Sequence, residues 1–434
     1  MRRFSEEAII EAQADSRATW NCVLIHYSEI ALRGQNRPMF ESRLVANIRR
    51  SVRSENAGSV RKLSGRFVFE LLDGDHIGNL QRKFARIPGI SWFAFARRCS
   101  LDIESMKAVA EDLLRQSAED GDTFAVRVNR ADHGFPLTSV DVARAIGEHL
   151  VRRLGCRVSL DHPDSTVYME LTDGVCFTFL EKMRGVGGLP VGSEGSVLIL
   201  FSGGIDSPVA AWLLMRRGCA VDFVHFHAYS TNDQVLATKI PKLLSVLIPY
   251  CLTSRLILVP QYPFELASLR IPRGYRVAAF RRHMQRVAEA VATRLGSKAL
   301  ATGDSIGQVA SQTLENLRTA DASSTLLVLR PLVTYDKEEI IALGKRIGTF
   351  ELSIMPYKDC CSLLDRHPKT RVPNQGMEKL EAAIDPAGLV EESLGLAEVT
   401  EIRENEPPEP IGMPDLIPFR EYPARLGERR ALGR

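Results

Sequence analysis

Three groups of residues in this 434-residue chain have types and spacings suited to chemistry. The first is Ser202-Gly203-Gly204-Ile205-Asp206-Ser207, which follows an apolar run and precedes Pro208 and a second apolar stretch. Adjacent glycines permit a tight turn, and small hydroxylated neighbours leave backbone N–H groups open to an anion at a helix N-terminus. Asp206 adds a carboxylate able to hold a metal ion on phosphates. A plain glycine turn explains the two glycines but not the serines and the acid beside them. The second group starts at Ala301-Thr302-Gly303-Asp304-Ser305 and runs to Gln312, where amides and hydroxyls suit an adenine or ribose edge. The third is the pair Cys360-Cys361, with Lys358, Arg366 and Lys369 close in sequence. Adjacent cysteines do not readily bridge each other, and without further ligands they make no zinc site. Basic neighbours lower a thiol pKa and turn it into a nucleophile or sulfur carrier; a pair of core cysteines is the alternative.

These groups need elements to hold them. Residues 197–201 read as a buried strand and 208–217 as a helix, with Asp206 or Ser207 as its cap and Pro208 in its first turn. Further apolar strands are expected at 220–225, 255–259, 298–302 and 326–329, separated by helices at 234–249, 277–295 and 337–347. Strands without polar alternation, joined by long helical crossovers, predict a parallel sheet covered on both faces. Ligands in such sheets sit at the carboxyl ends of the strands. The 277–295 helix carries Arg281, Arg282, His283 and Arg286. Arg282 and Arg286 share a face and Arg281 lies about 100° away, with a solvated basic face as the plain reading.

Upstream, strands at 22–27, 60–63, 66–71 and 90–96 alternate with helices at 39–50 and 77–85. That pattern predicts a ferredoxin-like α+β domain with helices on one face of an antiparallel sheet. A second α/β unit has helices at 103–118 and 139–153 and strands at 123–129, 157–160, 167–171 and 175–180. Arg127 and Arg130 are expected on a surface loop, where they can contact phosphates, and Phe135 is expected to plug the core. The resulting division is a polar leader at 1–19, domains at 20–98, 99–185 and 193–375, and a C-terminal extension at 376–434 that looks like an appendage.

Composition agrees with a multidomain soluble protein: 45% hydrophobic and 25% charged residues need no disulfide staples. The net charge of +3 conceals an arginine-dense front and an acidic tail, a balance compatible with nucleic acid or with solvated helices. Eight cysteines without a single CxxC argue against a disulfide scaffold and suit a reducing compartment. With no signal peptide and no membrane-length apolar run, the cytoplasm is the expected location.

Ser202 to Ser207 resembles the SGGxDS PP-loop of the ATP pyrophosphatase superfamily, and lacks the Gly-Lys-Ser/Thr of a Walker loop. The stretch 123–139 followed by Val167-Tyr168-Met169-Glu170-Leu171 resembles a THUMP domain. Gly187-Gly188-Leu189-Pro190-Val191-Gly192 is similar to the linker of the tRNA 4-thiouridine synthase (tRNA sulfurtransferase) family. So are Arg281-Arg282-His283-Met284, the run from Thr302 to Leu314, and Pro356 to Leu364.

The resemblance implies an N-terminal ferredoxin-like domain, a THUMP RNA-binding domain and a parallel-sheet PP-loop domain. It also implies ATP and Mg²⁺ as cofactors and tRNA as partner, with adenylation of uridine 8 and replacement of its C4 oxygen by persulfide sulfur. Nucleotide positions are then Leu200, Phe201, Ser202, Gly203, Gly204, Asp206, Ser207, His225, Phe226, Arg281, Gly303 and Gln312. Cys361 and Asp206 are catalytic, and Arg127 and Arg130 serve RNA. Asp304 stands where the family usually has Glu. No room is expected for the rhodanese domain some members carry. Sulfur would then come from a cysteine desulfurase, a separate rhodanese or free sulfide, and a role in thiazole synthesis is not implied. A homodimer is compatible with the sequence. The rivals are a PP-loop enzyme thiolating a different tRNA base, and a THUMP RNA-binding protein with a vestigial ATP site.

Overall fold

Strand β1 (Cys22–His26) is apolar on both sides, and both sides are buried. Val23 and Ile25 face the helices Arg37–Ser51 and Ile77–Arg86, while Cys22 and Leu24 join a second cluster with Phe177 and Phe179. The computed structural model describes residues 20–412 apart from 54–57, 73–75, 120, 132–133, 366, 405 and 407, so the polar leader lies outside the described residues. The chain divides into two compact units, Met1–Pro190 and Val191–Arg434.

The first unit has one nine-stranded sheet. Its strands are β1, β2 (Val60–Leu63), β3 (Arg66–Glu70), β4 (Trp92–Ser100), β5 (Thr123–Arg130), β6 (Arg157–Val158), β7 (Ser165–Thr172), β8 (Val175–Phe179) and β9 (Met183–Arg184). They lie in the order β2-β3-β1-β4-β8-β7-β5-β6, with β9 on β4. β4 is the seam: residues 92–96 pair with β1 and residues 97–100 with β8. An expected cut at 98/99 therefore falls inside a strand. The strand expected to end at residue 96 continues through Arg97 and Arg98, whose guanidinium groups find Asp112 and Glu70.

The second unit has a seven-stranded sheet in the order β14-β13-β10-β11-β12-β15-β16. Its strands are β10 (Ser196–Leu200), β11 (Ala220–His227), β12 (Thr253–Pro260), β13 (Ala299–Ala301), β14 (Leu327–Leu329), β15 (Glu398–Arg403) and β16 (Glu409–Ile411). The first five are parallel; β15 runs antiparallel to β12, and β16 antiparallel to β15. Residues expected as an appendage thus extend the sheet, and Glu401 on β15 is buried with partners in Arg403 and Thr253. They also anchor the basic helix Arg276–Leu295. Arg282 is buried and pairs with Glu381 at 2.9 Å, and Arg286 reaches the same carboxylate at 2.7 Å. That face is a structural ion-pair network rather than a solvated one. Arg281, about 100° round the helix, is left to point elsewhere.

Candidate nucleotide and thiol site

The chain leaves β10 toward β11 and β12 on one side and reaches β13 and β14 on the other. β10 is therefore the topological switch point, where neighbouring loops part and leave a crevice at the strand ends. The loop 202–207 follows β10, and residues 302–312 follow β13, its direct neighbour. Between them lies a cavity of about 280 Å³.

Ser207 closes the first loop. Its Oγ accepts from Ser202 N–H at 2.9 Å and donates to the Ser202 carbonyl at 3.0 Å. The helix Asp206–Arg216 starts after Ile205 with no side-chain cap, so neither Asp206 nor Ser207 caps it as expected. Ser207 is occupied inside the loop, and Asp206 is turned to Lys337 (2.7 Å) and Gln308 (2.9 Å). An uncapped helix start leaves donors for an anion.

The glycines work differently from the turn argument, since neither Gly203 nor Gly204 takes a positive φ. A Cβ on Gly203 would stand 3.0 Å from Lys239 Cε and 3.1 Å from the Tyr357 ring, whereas one on Gly204 meets only Ser202 Oγ at 3.4 Å. Gly303 is the most constrained: its Cβ would lie 2.8 Å from the Ser207 nitrogen. It admits the PP-loop backbone itself, and so fastens the two loops together.

On the next strand, His225 is buried between two partners. Its Nδ1 lies 2.7 Å from the Phe201 carbonyl, which can only accept, so Nδ1 carries the proton and Nε2 accepts from Tyr357 Oη at 2.6 Å. Burial drives its pKa down to about 4, which keeps the ring neutral and the tautomer fixed. Arg281 enters from the other wall and pairs with Asp304 at 2.6 Å. Asp304 also accepts from Thr302 (2.7 Å), Gln312 (3.2 Å) and Arg330 (3.4 Å). Burial opposes its charge, but Arg281, Thr302 and Arg330 hold the carboxyl below its ordinary range. Here the shorter acid still reaches a full set of donors. Gln312 Oε1, Gln308 Oε1 and Arg281 Nε are buried without a hydrogen-bond partner, as expected of atoms that await a ligand.

Cys360 and Cys361 open the short helix Cys360–Leu364, which Asp359 caps through Ser362 N–H at 2.9 Å. The Cys360 thiol is buried and directed to the Phe226 carbonyl at 3.2 Å. Cys361 is half-buried and lines the cavity. The expectation that Lys358 and Lys369 lower a thiol pKa fails on geometry. Lys358 lies over the Tyr229 ring, Lys369 donates to Tyr275 Oη at 2.8 Å, and Arg366 is outside the described residues. Burial instead pushes the Cys361 thiol up to about 12; Asp359 and Asp304 add to this and Arg281 opposes it. Alkylation needs thiolate, which at pH 8 is then about one part in ten thousand. Iodoacetamide labelling of Cys361 followed by peptide mass spectrometry should be slow at pH 8 and still rising above pH 10; a plateau by pH 8 would contradict this.

Leu200, Phe201, Ser202, Gly203, Asp206, Ser207, His225, Phe226, Arg281, Gly303, Gln312 and Cys361 all line the one cavity. Gly204 does not line it. Arg127 and Arg130 belong to the first unit, on strand β5 rather than a loop. Arg127 is exposed, but Arg130 donates to the carbonyls of Phe135 (2.8 Å) and Leu137 (2.9 Å), which holds the following loop. Phe135 packs against the core, as expected of a plug. Sequence reasoning missed Lys239, Gln308, Arg330, Lys337 and Tyr357. The Lys337 helix was legible as a helix, but nothing local ties it to Asp206.

Family models match all three parts of the chain. The ThiI ferredoxin-like domain matches residues 22–94, the THUMP domain 101–181, and the model described as thiamine biosynthesis protein (ThiI) 192–385. A crystal structure of a 4-thiouridine synthetase–RNA complex with bound ATP superimposes with a TM-score of 0.80 at 32% identity, covering 88% of this chain and 100% of that one. A probable tRNA sulfurtransferase of Brevibacillus brevis is 39% identical over 386 residues, 88% of this chain and 96% of its own length. One from Moorella thermoacetica is 38% identical over 383 residues, 88% of this chain and 97% of its own. Fold and site thus define a THUMP-bearing PP-loop protein, in which the α+β domains precede the α/β nucleotide domain along the chain. The chain belongs to the tRNA sulfurtransferase family. Among the described residues, no helix is long and apolar enough to cross a membrane.

Proposed function

We propose that this chain uses ATP to adenylate uridine 8 of tRNA and then replaces the C4 oxygen with sulfur carried on Cys361, giving 4-thiouridine. One observation carries the reading: the PP-loop and Cys361 line a single cavity at the switch point of the sheet. The polyphosphate belongs against residues 202–207 and the uncapped helix start, and the nucleoside against Leu200, Phe201, His225 and Phe226. Mg²⁺ neutralises phosphate charge when bound. Asp206 is the loop carboxylate suited to it, and no cluster of three or more candidate ligands occurs among the described residues, so phosphate oxygens would supply most of the rest.

The uridine O4 attacks the α-phosphorus of ATP; that P–O bond forms, the bond to the β-phosphate bridge breaks and pyrophosphate leaves. The terminal sulfur of a Cys361 persulfide then attacks C4, and AMP departs with the former carbonyl oxygen. Two electrons from an external thiol cleave the resulting Cys361–S–S–C4 link, leaving C4=S and a free Cys361. A cysteine desulfurase or a separate rhodanese in the cytoplasm recharges the persulfide. Incubation of the purified chain with ATP, tRNA and sulfide, with pyrophosphate and 4-thiouridine measured separately, tests the reading; neither product above background sinks it.

RNA contact is assigned to the first unit, with Arg127 the exposed candidate and Arg130 acting through the loop it holds. Arg127→Ala should weaken tRNA binding and flatten the log–log salt slope by about one unit. An unchanged slope in filter-binding titrations would remove Arg127 from the interface.

A further inference from the structure

Lys239 begins the helix Lys239–Cys251 and is 6% exposed. Its ammonium donates to two backbone carbonyls, Ser353 at 2.5 Å and Met355 at 2.6 Å. No ion pair to a carboxylate is found for it among the described residues, although a buried cation normally demands an anion. Its stem lies against the PP-loop, since a Cβ on Gly203 would come within 3.0 Å of Lys239 Cε. Two of the three N–H donors are used on carbonyls. The anion for which the neighbouring loop is suited is a polyphosphate. The two carbonyls sit just ahead of Tyr357, which donates to His225, and of Cys361.

We infer that Lys239 is the counter-charge for the polyphosphate at the PP-loop and the positioning residue that ties its occupancy to the segment presenting Tyr357 and Cys361. The inference rests on the ATP reading above and adds a coupling to it. With the loop filled, the ammonium is shared between phosphate oxygen and the Ser353 and Met355 carbonyls, so the turn that carries the cysteine responds to the nucleotide. Chemistry at the thiol is thereby linked to activation of the base.

The test uses the full chain, α,β-methylene ATP as the probe, calorimetry for affinity, and alkylation of Cys361 at about pH 9 with and without the probe. Lys239→Gln keeps donors for the carbonyls and removes the charge. It should bind the probe at least about tenfold more weakly, while Lys239→Arg stays within about threefold of wild type. In the wild type the probe should change the Cys361 alkylation rate, and in Lys239→Gln, at saturating probe, it should not. A folded Lys239→Gln with wild-type affinity overturns the counter-charge role, as does a folded Lys239→Arg that binds as weakly as Lys239→Gln. An alkylation rate in the wild type that ignores bound probe overturns the coupling, and needs no variant. Failure of the wild type to bind the probe would instead sink the ATP reading itself.

Discussion

Asp206→Asn should abolish adenylation, lowering pyrophosphate release by about a hundredfold or more, and leave the fold intact. The two consequences separate because of what Asp206 touches. Its partner Lys337 is 42% exposed, so the pair adds at most about 1 kcal/mol to stability, and Asn can still accept from one neighbour. What disappears is the negative charge at the start of an uncapped helix, beside a loop suited to polyphosphate. A bare carboxylate there would repel ATP; neutralised by Lys337 and held by Gln308, it is aimed without being repulsive, and it is the one loop group that can receive a cation carried on phosphates. Thermal melting should shift by no more than a few degrees, and tRNA affinity, assigned to the other unit, should stay within about threefold. Undiminished pyrophosphate release by the purified variant would remove Asp206 from the mechanism. Gly203→Ala is a companion test, since a methyl group there would press on Lys239 and Tyr357, whereas one on Gly204 meets only Ser202 Oγ.

What sequence could show was whatever is local. The strand β10, the glycine pair and the helix after it lie within about twenty consecutive residues, and their pattern needs no tertiary knowledge. Helical arithmetic alone separated Arg281 from Arg282 and Arg286, and the structure sends the first to the cavity and the other two to Glu381. The failures share one cause. Lys358 and Lys369 are near Cys361 along the chain but turn to Tyr229 and Tyr275, while Arg281, eighty residues earlier, supplies the cation that acts on the thiol. Lys337 reaches Asp206 across 131 positions and Tyr357 reaches His225 across 132, because the switch point at β10 brings distant crossovers to one place. β15 was missed because its Glu-Val-Thr-Glu-Ile-Arg run resembles a solvated tail; its pairing with β12 buries Glu401, whose charge Arg403 and Thr253 then satisfy.

Cys361→Ser should retain ATP-dependent pyrophosphate release and lose 4-thiouridine formation when a cysteine desulfurase with cysteine is the donor. Serine fills nearly the same volume at a half-buried site, so the cavity and its Arg281–Asp304 wall are expected to persist, but its oxygen cannot carry a persulfide. Cys360→Ser should be mild by comparison. The Cys360 thiol is buried against the Phe226 carbonyl, a contact a serine hydroxyl reproduces, and burial raises its pKa well above that of an ordinary thiol. Neither feature suits a nucleophile. The high pKa of Cys361 gives the test a second reading. A thiol protonated at neutral pH is a poor nucleophile on its own, so sulfur must arrive as a persulfide formed by a donor or by exchange at the rare thiolate. Thiolation by the wild type should therefore climb with pH when recharging limits the rate, since thiolate increases tenfold per pH unit well below the pKa, while pyrophosphate release does not follow it. Quantifying both products from pH 7 to 9 for wild type and the two variants decides the matter. Full thiolation by Cys361→Ser with the desulfurase would end the persulfide assignment. Thiolation restored to that variant only by free sulfide would confine Cys361 to sulfur relay, with sulfide itself able to attack the activated base.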